Sequence, residues 1–284
     1  MTFWRDLGRW GRSAVGISLI TAAFFGPLGA VVWASVSTPT ALQQYRLSPP
    51  SEFTLQNYRE LLSPSGGGES LLDAPLTDAV GWSFAIAGIS TLVALFIGLP
   101  AGIGLARLKP KLRWTLIGLF ASARMLPSVA FVVPFRELLN EVGLVDHFSG
   151  LVLGHFTLTL PIVVIVIAVS VPRSLLVGDR QAALDGLPWI TRLRVVSIPS
   201  LLVPAIVGCS IGFLMSWNDF SLSFFLTSRR ITTAPMVLAG LETIRETLWG
   251  QAAAAVVILS LPVVALALGF LGFRELRRIE VRSP

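Results

Sequence analysis

The chain has 284 residues, 54% of them apolar and only 13% charged, with a mean hydropathy of +0.75. A water-soluble domain would carry about 25% charge, so a soluble enzyme or binding module is excluded and the chain reads as an all-α integral membrane protein. A net charge of +6 would suggest nucleic acid in a soluble chain, but here basic residues flanking membrane spans account for it, and one cysteine (Cys209) with two histidines leaves no disulfide and no metal-ligand spacing.

Six apolar runs are long enough to cross a bilayer, which takes about 20 residues. They cover 14–37, 80–106, 114–135, 151–171, 196–226 and 251–273. Arg5, Arg9 and Arg12 precede the first, as in a secretory leader. Its apolar run exceeds a leader's, so an uncleaved anchor is expected. The outer loop 38–79 follows, with Pro49-Pro50 and Gly66-Gly67-Gly68 as breakers. Between them, 53–62 has helical spacing, with Leu55, Tyr58 and Leu62 on one side. The fifth run is the longest. Pro199 and Pro204 near its start predict a kink or a separate short helix there. No internal repeat is evident. The organisation expected is a short N-terminus (1–13), one six-span domain (14–273) and a tail (274–284).

With the N-terminus inside, fifteen of the 22 basic residues fall on the cytoplasmic side, while Glu52, Glu60, Glu69, Asp73, Asp78, Glu137, Glu141, Asp146, Glu242 and Glu246 fall outside. The bias holds in every loop. Both termini are therefore expected in the cytoplasm, as is the loop 173–199. That loop contains DRQAALDGLPWITRLRVVSIP (179–199), which is too polar for lipid yet rich in apolar residues.

A phosphate-binding loop needs Gly-Lys followed by Ser or Thr, and neither Lys109 nor Lys111 follows a glycine. Energy for transport would have to come from another subunit or an ion gradient. Paired carboxylates and a Ser/His/Asp cluster are missing from the spans. His155 and Ser149, near the outer end of the fourth, read as polar contacts. Ionisable groups within spans point to function by default. Arg124, in ASARMLPSVAF together with Ser128, sits near the midplane of the third span. It faces a water-filled path, meets a neighbouring subunit or bonds backbone carbonyls. Asp219 lies in the outer part of the fifth run. At a rise of about 1.5 Å per residue the two depths differ by on the order of 10 Å, which argues against an ion pair. Trp217, Asn218, Asp219 and Phe220 form a polar-aromatic cluster. Such groups suit a polyhydroxylated solute, with rings on its C–H face and polar groups on its hydroxyls. They equally suit an aromatic belt at the outer interface.

Gly186 is followed thirteen residues later by Pro199, the spacing of Glu-Ala-Ala, three residues, Gly, nine residues, Ile-x-Leu-Pro. This resembles the cytoplasmic loop of ATP-binding-cassette (ABC) importer permeases. The Glu-Ala-Ala places hold Arg180, Gln181 and Ala182, and the Ile, Leu and Pro places hold Val196, Ile198 and Pro199. FTLQNYREL (53–61), MLPSVAFVVPFRELLNEVGLVDHFSGLVL (125–153), FTLTLPIVV (156–164) and SWNDF (216–220) are similar to segments of the carbohydrate, maltose-permease-like group. The resemblance runs from about residue 50 onward. The chain departs from it at Arg180, which stands where relatives have an acid. It also departs at the tail FRELRRIEVRSP, which replaces a small-residue ending.

The resemblance implies a type I importer permease fold in a bacterial or archaeal cytoplasmic membrane. It implies that a second homologous permease, two ATPase subunits and an extracytoplasmic solute-binding protein assemble with the chain. ATP and Mg would be bound by the ATPase subunits, with no cofactor in this chain. Residues Asp179, Arg180, Gln181, Ala182, Ala183, Leu184, Asp185, Gly186, Leu187 and Pro188 would form a coupling helix and its turn, docked in a groove of the ATPase. Their mixed charge disfavours a helix resting on the membrane. Arg124, Ser128 and Trp217 to Phe220 would face the solute path. A sugar is the expected solute. A polyamine, phosphate or compatible solute is the alternative, followed by an ion-driven carrier or membrane enzyme.

Overall fold

Every regular element among the described residues is helical, as an apolar chain needs when its backbone polar groups must be satisfied without water. The computed structural model describes residues 2–38, 53–63, 75–125, 127–227, 230–243 and 249–282. Pro49-Pro50 and the Gly66–Gly68 run lie outside the described residues. The same holds for the side chains of Arg5, Arg9, Arg12 and the tail.

In chain order the helices are α1 (Thr2–Ser35), α2 (Gln56–Leu62), α3 (Leu76–Arg107), α4 (Pro110–Met125), α5 (Ser128–Glu141), α6 (Phe148–Ser170), α7 (Arg173–Leu184) and α8 (Trp189–Arg192). A π-helical turn, Leu193–Ser197, leads into α9 (Ile198–Trp217), α10 (Ser221–Leu226), α11 (Ala234–Thr243) and α12 (Trp249–Arg282). Five stretches are long and apolar enough to span a membrane: Ser18–Ser35, Leu76–Arg107, Phe148–Ser170, Trp189–Trp217 and Trp249–Gly272. A sixth exists if α4 and α5 count together, but they meet at 86°. The expected continuous third span is thus a broken one. Pro127 caps α5 with extended backbone (φ −57°, ψ 135°) and has no N–H to carry a helix forward. The fifth span also differs from expectation. It begins at Trp189 and ends at Trp217, and 221–226 forms a separate helix.

The chain divides into two compact units, 1–77 with 237–284, and 78–236. In the first, α1 and α2 both pack against α12. The buried face of α2 runs through Asn57 and Leu61, and Leu55 and Leu62 are exposed. Hydrogen bonding decides the orientation. Asn57 Nδ2 donates to the carbonyls of Ser35 (2.9 Å) and Ser37 (3.0 Å), and the Tyr58 hydroxyl donates to Ser35 Oγ (2.8 Å). These carbonyls end α1 and would otherwise lack partners. A Cβ on Gly250 would lie 2.5 Å from Asn57 Oδ1, so only glycine lets α12 approach. Gln251 Nε2 adds a bond to Glu60 (2.6 Å). The spans of this unit bury few of their own residues, 6% of Ser18–Ser35 and 11% of Trp249–Gly272, so they present their faces to lipid or another subunit.

The second unit centres on α6, the most buried span. Its Val163 and Ile167 are enclosed by two stripes of small residues. Ala94, Gly98 and Gly102 recur every fourth residue on α3. A Cβ on Gly98 would meet Val163 at 2.8 Å, and one on Gly102 would meet Ile167 at 2.6 Å. On α9, Gly208 faces Ile167 and Gly212 faces Val163 and Thr91. Without a hydrophobic drive between helices in lipid, such close backbone approach supplies the packing. The Arg113 guanidinium donates to the Ala168 carbonyl, tying α4 to the end of α6, and lies over the Trp114 ring. A further cluster of Ile86, Val132, Leu139, Leu151, Leu222, Leu226 and Ile231 joins α5, α6 and α10.

Candidate functional site

The loop 173–199 folds as helix, turn, helix. Pro172 precedes α7 with extended backbone, and Asp185 closes it. Gly186 then takes φ +78°, a left-handed conformation that favours glycine. The Leu187 N–H reaches the Ala182 carbonyl (3.0 Å) and the Gly186 N–H reaches that of Ala183 (3.2 Å). This pair of bonds is the Schellman ending of a helix. Pro188 caps α8 rather than sitting within its first turn, and its carbonyl accepts from the Arg192 N–H. α8 runs through the π turn into α9, so the loop is continuous with a span.

α7 has two faces. Leu175 and Ala182 are buried. Asp179 lies on the same side and takes Arg107 Nη2 of α3 at 2.8 Å and Arg192 Nε of α8 at 3.4 Å. The first is a hydrogen-bonded ion pair. The second is too long to be more than a charge contact. Because Arg107 is half exposed, the pair contributes on the order of 0.5 kcal/mol. It fixes direction more than it stabilises. Arg180, Gln181, Ala183, Leu184, Asp185, Gly186 and Pro188 are exposed and Leu187 is half-buried. Leu184 is 82% exposed and Trp189 67%. The expected partner-facing set therefore divides: Asp179 and Ala182 are used inside the chain, Leu187 is half-buried, and the others are presented outward.

At the opposite end of α9 the cluster is differently disposed. Trp217 is 2% exposed, stacks on Phe213 (5.7 Å) and meets the edge of Phe84 (5.9 Å). Its ring belongs to the packed interior, which corrects the expectation of a surface stacking on solute. Asn218 is exposed and donates from Nδ2 to the Leu214 carbonyl (2.7 Å). Asp219 lies beyond the span and accepts the Leu222 N–H (2.8 Å), opening α10. Burial pushes its carboxyl above the usual range, against that bond and the nearby Arg124 charge. Phe220 stacks on Phe224 (5.0 Å). Arg124 ends α4 at the bend, with Nε enclosed and without a hydrogen-bond partner. Its charge reaches Asp219, though no ion pair joins them within 4 Å among the described residues. Ser128 opens α5 and is half-buried.

His155, expected as a polar contact, finds its partners here, and a further feature went unread in the sequence. His155 Nδ1 meets Ser216 Oγ (2.8 Å), which lies 3.3 Å from Ser90 Oγ. This buried polar contact ties α3, α6 and α9 together just before Trp217. On α5, Val133, Arg136, Glu137 and Asn140 recur on one exposed face and line a cleft with Phe225. The i, i+3, i+4, i+7 spacing was the available signal.

No family profile matches the chain. It is 28% identical over 222 residues to the inner membrane ABC transporter permease protein YcjP of Escherichia coli, covering 76% of this chain and 75% of that one. It is 28% identical over 228 residues to the trehalose transport system permease protein SugB of Mycobacterium tuberculosis, covering 78% of each. It is 27% identical over 231 residues to the trehalose/maltose transport system permease protein MalG of Thermococcus litoralis, covering 78% of this chain and 79% of that one.

Proposed function

We propose that this multi-pass membrane protein, a permease subunit of the carbohydrate group of ABC transporters, imports a sugar or sugar-like solute, and that α7 is the element through which ATP hydrolysis on partner subunits drives it. The observation that carries the coupling role is the two-faced α7. Its outer face offers exposed Leu184, in the manner of a helix laid in a groove. Its inner face is braced to α3 through Arg107 and to α8, and so to the fifth span, through Arg192. A push on α7 then moves two spans together.

The orientation that suits this role puts α7 and both termini in the cytoplasm. ATP and Mg are bound by two ATPase subunits there, a second permease completes the path, and a binding protein delivers solute outside. Support for a sugar comes from relatives named for trehalose, maltose, and melibiose with raffinose and stachyose. Exposed Asn218 and the Arg136/Glu137/Asn140/Phe225 cleft add bonding and stacking groups fit for hydroxyl-rich solutes. The test is reconstitution with the cognate ATPase, second permease and binding protein, followed by ATP-dependent uptake of labelled disaccharides, spermidine and phosphate. Disaccharide uptake is expected. Uptake of spermidine or phosphate alone would remove the sugar assignment, and uptake without ATPase subunits would remove the coupling role.

A further inference from the structure

We propose that Arg180 is the charge this permease presents to its ATPase partner, and that the partner's groove holds a carboxylate between apolar walls. This rests on the coupling role of α7 and specifies the surface that receives it. Leu175, Asp179 and Ala182 recur at i, i+4 and i+7 and face inward, two buried and the acid engaged by Arg107 and Arg192. Val177, Arg180, Gln181 and Leu184 recur at i, i+3, i+4 and i+7, and all four are exposed. The inner acid is therefore withheld from any partner, and the outward stripe carries a guanidinium flanked by Val177 and Leu184.

An apolar groove alone would receive that stripe badly. A guanidinium desolvated without a counter-charge opposes association, whereas a carboxylate takes it in two parallel hydrogen bonds. A membrane surface is the poorer occupant. The exposed part of α7 and its turn mixes Arg180 with Gln181 and Asp185 instead of forming a cationic face. The Schellman turn at Gly186 ends the stripe abruptly, which fits a bounded groove.

The test uses the complete transporter in vesicles with its cognate ATPase. Arg180→Glu is expected to lower ATP-dependent uptake at least tenfold and to weaken ATPase binding. Arg180→Lys retains most uptake. Changing one groove Asp or Glu of the ATPase to Arg is expected to restore the Arg180→Glu permease. Leu184→Asp controls for the underlying coupling role. If Leu184→Asp abolishes uptake while Arg180→Glu behaves as wild type, the helix docks but Arg180 meets no carboxylate, and the proposal is overturned alone. If both variants transport normally, the coupling role itself fails. If removing anionic lipid reproduces the Arg180→Glu defect while ATPase affinity is unchanged, Arg180 serves a lipid surface and the proposal is overturned.

Discussion

One span carries a tryptophan at each end, and the two have opposite surroundings. Trp189 is 67% exposed and Trp217 is 2% exposed, although both border the same 29-residue apolar stretch. Around Trp189, Leu184, Ile190 and Leu193 are exposed as well, while the polar Asp179 is turned in. Around Trp217 the arrangement is reversed, with rings packed against Phe213 and Phe84 and Asn218 turned out. The difference separates two uses of an aromatic residue in a membrane protein. At one end apolar surface is left for something outside the chain, and at the other it holds the chain's own helices together.

The sharpest way to break this contrast is truncation at the packed end. Trp217→Ala should cost about 3–5 kcal/mol, read as a large fall in melting temperature in detergent, and Trp217→Phe should recover much of it. An unchanged melt would mean that Trp217 is not core. At the exposed end, Leu184→Asp should lower uptake tenfold or more with the melt unaltered. A matching loss of stability would show that Leu184 is buried in use by this chain itself. Asn218→Ala, on the outward side of the packed cluster, should raise the uptake KM about threefold with little effect on maximal rate, measured by solute titration. Asp179→Asn should change stability by less than about 1 kcal/mol yet raise the ATP hydrolysed per solute moved. An unaltered ratio would separate the brace from coupling.

Much of the span pattern was legible, because bilayer thickness imposes a length that apolar runs either reach or miss. Where the chain breaks within a run was harder to see. Pro127 was visible, but Trp114 to Phe135 reads as one mostly apolar run interrupted only by Arg124 and a few small polar residues, and the bend follows from α5 starting anew on a proline cap. The burial of Trp217 was not readable, since a span that is apolar all round has no periodic face to reveal its neighbours. By contrast, α7 is not among the candidate spans, and its inward and outward faces are written at helical spacing. Even so, the sequence could not tell that Arg107, seventy-two residues away, claims Asp179. The glycines at 98, 102, 208 and 212 carried a readable small-residue spacing, but not which valine and isoleucine they receive.

The glycine at 250 has a consequence for which substitutions this chain accepts there. Its missing side chain is space already taken by Asn57, nearly two hundred residues earlier. A side chain gained at 250 must be answered by a smaller residue at 57, which in turn strands the carbonyls of Ser35 and Ser37. The end of α1, Asn57 and Gly250 are thus coupled within this chain.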